Sequence, residues 1–255
     1  MTMRGRSLLV TLASAAIIAA GLTGVATVAV SETGQQIIGG KNATEPYPFV
    51  ANFQYPNGRP FCGGSLIKPD VVLTASHCME GWPTNGFQIR IGSNDRTSGG
   101  TVAKAASITR NTGPDLALVK LTAPVSHPVI AIPDQVGPTG SAARLLGWGR
   151  LQNCPGIDCP TPTILQEFDT TVLADETCRG IKAATELCVD SPNGTGVCHG
   201  DSGGPAIQKV DGKWTLIGVT SRLSGGVSTC GSTPTIYVDT AANRAWINQA
   251  LTALG

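Results

Sequence analysis

The sequence predicts an all-β protein closed by one C-terminal helix, and three observations carry the prediction. Short apolar or alternating runs recur from residue 48 onward, bounded by Gly, Pro, Asn and Asp. The 255 residues include 32 glycines and 17 prolines but only 14% charged residues, a mix suited to short strands joined by tight turns. Helical spacing is clear only near the C-terminus.

Each element follows from its residues. Phe49–Tyr55 alternates, and Pro56-Asn57-Gly58 turns it. Arg59–Ile67, Val71–Ala75, Phe87–Ile91, Ala117–Leu121, Gln166–Val172 and Pro205–Val210 read as further strands. Asp211-Gly212 then separates Pro205–Val210 from Lys213–Thr220. That is a hairpin signal, because a two-residue turn of this kind needs residues that tolerate positive φ. Thr235–Val238 is the last strand. Ala242, Trp246, Ile247, Ala250, Leu251 and Leu254 share one helical face, with Asp239 or Thr240 placed to cap it. Strands of this kind build a sandwich or barrels, and periodicity does not choose between them. A linker near Ala131–Thr139, with Pro133 and Pro138, marks a division into two halves.

Residues 1–30 stand apart. Arg4 and Arg6 precede an apolar stretch running from Leu8 towards Val30, the pattern of a secretory signal peptide cleaved between Ala26 and Ser31. The stretch is also long enough to span a bilayer, so an uncleaved membrane anchor is the alternative. The 18 basic and 17 acidic residues become 16 and 16 when Arg4, Arg6 and Glu32 are set aside with residues 1–36. No run of Lys or Arg stands out, which argues against a nucleic-acid partner. The eight cysteines begin at Cys62 and follow an export signal, predicting four disulfides in an oxidising compartment. No Cys-x-x-Cys pair occurs, which argues against a zinc site.

Three segments are chemically loaded: Thr74-Ala75-Ser76-His77-Cys78, Asp115-Leu116-Ala117-Leu118-Val119, and Cys198-His199-Gly200-Asp201-Ser202-Gly203-Gly204-Pro205. A serine hydroxyl is a weak nucleophile without an adjacent base. Histidine suits that role, and a carboxylate can fix its tautomer and stabilise its cation. Glycines around Ser202 allow a sharp turn that aims backbone N–H groups at one point. Each segment alone has a bland reading, as a structural histidine, a solvated turn acid or a glycine turn. Together, in this order, they predict nucleophilic catalysis by serine.

These residues, with Ile37-Ile38-Gly39-Gly40, Cys62-Gly63-Gly64-Ser65-Leu66-Ile67 and Gly147-Trp148-Gly149, resemble the trypsin/chymotrypsin family of serine endopeptidases from Ile37 to the C-terminal helix. The resemblance implies two six-stranded antiparallel β-barrels packed together with a C-terminal α-helix. It implies His77 as general base, Asp115 as its orienter, Ser202 as nucleophile, and the N–H groups of Gly200 and Ser202 as the oxyanion hole. Ser221 matches the serine that supports the aspartate. It pairs Cys62 with Cys78, Cys178 with Cys188, and Cys198 with Cys230, which leaves Cys154 and Cys159 to each other. Two other serine hydrolases fit less well. An α/β-hydrolase needs a histidine after its serine, but His77, His127 and His199 all precede Ser202. The subtilisin order of Asp, His, Ser is open to Asp70, but Asp70 follows Pro69 in a turn, and the chain lacks the alternating helices of that fold.

The resemblance also divides the chain: a signal peptide at 1–30, a short pro-segment at 31–36, an N-terminal barrel at 37–133, a C-terminal barrel at 134–239 and a helix at 240–255. It implies that the freed amine of Ile37 pairs with Asp201 on activation, although Gln36 stands where a basic residue is usual. Gly196 occupies the pocket-floor position where trypsins carry an aspartate. With Val197, Ser221, Arg222, Leu223 and Thr235 around it, the pocket is expected to take small apolar residues, as in elastases. Large apolar residues, or acidic ones through Arg222 and His199, are the alternative. Gly92–Gly100 offers only Asp95, so no calcium is expected there. No cofactor or metal is expected. The partners implied are protein or peptide substrates and protein inhibitors of a secreted monomer, with membrane contact only through an uncleaved leader.

Overall fold

The protein is described here from a computed structural model covering Thr2, residues 37–154 and residues 159–255. The expectations for the signal peptide and the 31–36 segment rest on residues outside that set. Within it run β1 (Lys41–Asn42), β2 (Val50–Gln54), β3 (Pro60–Lys68), β4 (Val71–Thr74), β5 (Gln88–Ile91), β6 (Thr101–Ala103), β7 (Ala105–Arg110) and β8 (Ala117–Leu121). They are followed by β9 (Ala142–Gly147), β10 (Gln166–Leu173), β11 (Glu186–Val189), β12 (Pro205–Val210), β13 (Lys213–Leu223), β14 (Thr235–Asp239) and α1 (Arg244–Leu254).

The first half is an antiparallel sheet in the order β6-β5-β2-β3-β4-β8-β7. Its two edges, β6 and β7, are the arms of one run bent at Lys104, so the sheet curls round to six-strand width. In the second half β10 pairs with both β9 and β11, and β12 pairs with β9. Those pairings close β9-β10-β11-β14-β13-β12 into a barrel, which leaves no long exposed edge for aggregation. One closed six-stranded barrel, one curled half-barrel sheet and one C-terminal helix match the expected chymotrypsin-like fold.

Local chemistry explains the departures from the predicted boundaries. β9 and β11 escape a periodicity search because each places a charged residue inside the barrel wall. In β9 the Arg144 guanidinium lies 5.1 Å from the Trp214 ring and bonds Asp169. β11 opens with buried Glu186, whose carboxylate takes two 2.8 Å bonds from Arg222. β13 runs past Thr220 to Leu223 because Arg222 and Leu223 resume pairing with β14 after a bulge. The helix starts at Arg244, later than Asp239 or Thr240 would place it. Asp239 Oδ1 instead accepts the Ala242 N–H at 2.9 Å in the preceding turn, and the Thr240 hydroxyl donates to Leu216 O. The Asp211-Gly212 hairpin has the predicted positive φ at both residues, 49° and 76°. All four expected disulfides are formed.

The two ends of the described chain cross between halves. β1 adds to the second barrel through Lys41 opposite Glu167. Buried Glu167 accepts from the Thr44 hydroxyl and the Tyr47 hydroxyl at 2.7 Å each, and Lys41 and Arg144 lie within 3.4 Å. Burial alone would raise the Glu167 pKa, but these donors outweigh it and hold it below the usual range. In the other direction α1 buries Ile247 and Ala250 and packs against β8.

Candidate active site

Three loops at the ends of strands converge between the halves. β4 ends at Thr74, and the chain turns into a short 3-10 segment at His77–Met79 that the Cys62–Cys78 bridge ties to β3. Asp115 sits two residues before β8. Its Oδ2 is 2.7 Å from His77 Nδ1 and accepts the Ser221 hydroxyl at 2.7 Å, while its Oδ1 accepts the His77 backbone N–H at 2.9 Å. The β13 bulge between Thr220 and Arg222 delivers Ser221 to this point, as bulges commonly re-aim a side chain. Burial pushes the Asp115 carboxyl up, but the bonds from His77 and Ser221 and the His77 charge pull it further down, so it stays ionised at neutral pH.

Ser202 lies in a turn between Cys198 and β12 and is held from both halves. Its carbonyl accepts the Gly63 N–H at 2.8 Å, and the next N–H, of Gly203, donates to Thr220 O at 2.8 Å. Gly203 has φ +77°, and a Cβ there would fall 2.2 Å from Thr74 Oγ1 and 2.5 Å from Gly63 O. Only glycine allows the serine turn to pack so closely against the histidine loop. Among the hydrogen bonds of the described residues, one links Asp115 to His77 and none links Ser202 to His77 Nε2. Such a link commonly tightens only when substrate binds. The N–H groups of Gly200 and Ser202 likewise donate to no protein acceptor among these bonds.

Asp201 points the other way, into the interior. It is 1% exposed, with Oδ1 2.7 Å from Gly149 N and Oδ2 2.8 Å from Cys198 N. A Cβ on Gly147 or Gly149 would lie 2.0 or 2.3 Å from its oxygens, which explains the Gly147-Trp148-Gly149 motif. Burial raises its pKa to about 6, against the two backbone bonds that lower it. Ile37 is also fully buried, and the Gly196 N–H donates to Ile38 O at 2.8 Å.

Beside Ser202 opens a cleft of about 210 Å³, lined by Val197, His199, Leu223, Val227 and the Cys198–Cys230 bridge. Cys62, His77 and Cys78 lie close enough together to suggest a metal site. Both cysteines are spent in a disulfide, so that cluster offers no thiolate.

The family profile described as Trypsin matches residues 37–247. The chain belongs to the trypsin family of serine proteases. A "Trypsin-like protease" from Streptomyces glaucescens is 30% identical over 234 residues, covering 86% of this chain and 84% of the relative. A "Trypsin" from Sarcophaga bullata is 28% identical over 235 residues, covering 84% and 88%. This trypsin-family chain is therefore a serine endopeptidase, a hydrolase of protein or peptide substrates. Among its described residues no helix is long and apolar enough to cross a membrane.

In the trypsin-family protease Asp115 contacts both His77 and Ser221, and Ser221 and Ser202 line one cleft. Asp70 is engaged elsewhere, 2.8 Å from Lys120, which removes the subtilisin-like arrangement. The cleft differs from expectation in three ways. Thr235 does not line it: the residue is fully buried, with Oγ1 3.3 Å from Ser191 Oγ. Gly196 also stands behind the lining, against Ser191. Val227 joins the wall, although it sits in a glycine-rich loop with no periodicity to mark it. Arg222 lines the cleft, but its guanidinium is bound to Glu186 and Gly180 O.

Proposed function

We propose that the protein is a secreted protease that cuts after small apolar residues through an acyl-enzyme. The supporting observation is the Asp115–His77 contact of 2.7 Å, with Gly203, the residue after Ser202, packed against the start of the same loop. Ser202 Oγ attacks the scissile carbonyl while His77 Nε2 takes its proton. Asp115, held by Ser221, keeps the proton on Nδ1 and stabilises the imidazolium. The developing oxyanion takes the N–H groups of Gly200 and Ser202, where losing one donor costs about 2.7–4 kcal/mol. Collapse passes the proton from His77 to the leaving amine. Water then repeats the cycle on the ester and frees Ser202.

An organophosphate tests this reading. Protein cut to begin at Ile37 should incorporate one phosphoryl group, which mass spectrometry would place on Ser202. Correctly processed protein that remains unlabelled would refute the proposal.

Leu223 and Val227 narrow the cleft, which supports alanine or valine at the cut site. The Glu186 carboxylate neutralises Arg222, so an acidic preference is disfavoured. Leu223→Gly is expected to raise kcat/KM for phenylalanine over alanine at the cut site by about tenfold or more, since one methylene is worth about 1–3 kcal/mol. Profiling both proteins on a peptide library measures the change. The enzyme acts as a monomer, and protein inhibitors occupy the same cleft.

Maturation removes residues 1–30 and then 31–36, leaving barrels at 37–133 and 134–239 and the helix at 240–255. The freed Ile37 amine pairs with Asp201. Because Gln36 precedes Ile37, a protease without trypsin's basic preference makes that cut. A carboxyl whose folded pKa is raised binds its proton more tightly in the fold than in the unfolded chain. The uncut chain should therefore lose about 3 kcal/mol from Asp201 as pH rises from near 4 to about 6. Urea titrations at several pH values check this, with Asp201→Asn as the reference lacking that slope. In protein starting at Ile37 the new amine supplies the missing charge and keeps the carboxyl ionised, so this loss with rising pH should disappear.

A further inference from the structure

The two basic side chains of β5 and its following loop, with a third from the β2–β3 hairpin, meet away from the catalytic cleft. Arg90, Arg96 and Arg59 line a second cleft of about 410 Å³, together with Gln54, Gln88 and Asn57. The chain after residue 36 is formally neutral, so three cations at one place are a local concentration of charge. None of the three belongs to an ion pair among the described residues. The nearby acid, Asp95, is held ionised by bonds from Thr97 and Ser98 and offsets part of the Arg96 charge, which leaves a net positive excess in the cleft.

Two of the guanidiniums are pre-positioned. Arg90 Nε donates to Arg96 O at 2.9 Å and its Nη1 to Gly99 O, while Arg96 Nε donates to Pro162 O at 2.8 Å. Those bonds leave Nη2 of each unspent. Arg59 is exposed, makes no such bond, and rests over the Tyr55 ring at 5.7 Å. Backbone bonds account for the anchored edges of Arg90 and Arg96, whereas among the described residues the Arg59 side chain has its contact with the Tyr55 ring alone and adds like charge to the cluster. Fixed guanidinium forks with free donors match carboxylate geometry.

We propose that this cleft is an exosite for an acidic segment of a protein substrate. Its position suits that task. Arg59 immediately precedes β3, and four residues along lies Gly63, whose N–H holds the Ser202 carbonyl. At the rise of an extended strand this is about 13 Å. A substrate could bind the arginines with a glutamate- or aspartate-rich stretch while its scissile bond lies at Ser202. The inference rests on the protease reading for its purpose, but the binding itself needs no catalysis.

The test separates the two. Fluorescence anisotropy would follow a glutamate-rich peptide binding to Ser202→Ala protein. Saturable binding is expected, weakened by salt, and weakened about tenfold by Arg59→Glu, a reversal at an exposed side chain. In the active enzyme, Arg59→Glu should lower kcat/KM by a similar factor for a substrate with an acidic extension. It should leave a short neutral substrate unchanged. Arg96→Gln provides a second, charge-only variant, with thermal unfolding to show that it folds. Failure of the acidic peptide to bind, or equal affinity for wild type and Arg59→Glu, would overturn the proposal. So would binding of a sulfated oligosaccharide or a DNA duplex where the acidic peptide shows none.

Discussion

Ser202→Ala is expected to lower kcat by about 10⁶, the scale seen when a triad nucleophile is removed from a serine protease. In the proposed mechanism the Ser202 alcohol forms the ester, and alanine would leave His77 with no proton to take. The fold should survive, because the groups that hold this turn are backbone: Ser202 O on Gly63 N, Gly203 N on Thr220 O. The stability change should stay within about 0.5 kcal/mol. Steady-state cleavage of a chromogenic peptide and a urea titration check the two halves of the prediction. Residual turnover about 10³–10⁴ above water would persist through the oxyanion donors and substrate binding. Unaltered turnover would mean that Ser202 is not the nucleophile.

Asp115→Asn should lower kcat by about 10⁴ near neutral pH, the size of the corresponding loss in this family. Here the geometry gives the reason. Asp115 accepts three hydrogen bonds, from the His77 backbone, His77 Nδ1 and the Ser221 hydroxyl. An amide keeps one acceptor oxygen and presents an NH₂ where the other stood. If that NH₂ faces Nδ1, the imidazole must carry its proton on Nε2, which is then unable to take the proton of Ser202. Because the residues act as a unit, Asp115→Asn added to Ser202→Ala should cost almost nothing more. A similar small loss from Asp115→Asn alone would place the aspartate outside the relay.

Much of this was legible in the sequence because the relevant chemistry is local. His77, Asp115 and Ser202 each sit in a short segment whose neighbours have to be small or apolar, and the structure shows why. Gly203 fits against Thr74, and the glycines around Trp148 admit the Asp201 carboxylate. The Asp211-Gly212 hairpin was readable for the same reason, since the turn imposes φ on its own two residues. What escaped depends on partners distant in sequence. β11 begins with a glutamate whose burial is balanced by the distant Arg222 guanidinium together with the Lys182 N–H. The pocket wall draws Val227 from a loop whose path is set by the Cys198–Cys230 bridge, and Thr235 turns away to meet Ser191. Neither choice leaves a mark in the local pattern.

The crossing of the two chain ends has a bearing on how this molecule can evolve and be engineered. Each barrel borrows a finishing piece from the other's side of the sequence: the second takes β1 and the Glu167 bonds, the first takes the packing of α1. The halves are therefore clasped rather than merely hinged, and neither is a transplantable module. A chimera joined at the 131–139 linker would exchange two mismatched clasps along with the barrel, so compatible junctions have to carry residues 41–47 and 244–254 with their hosts.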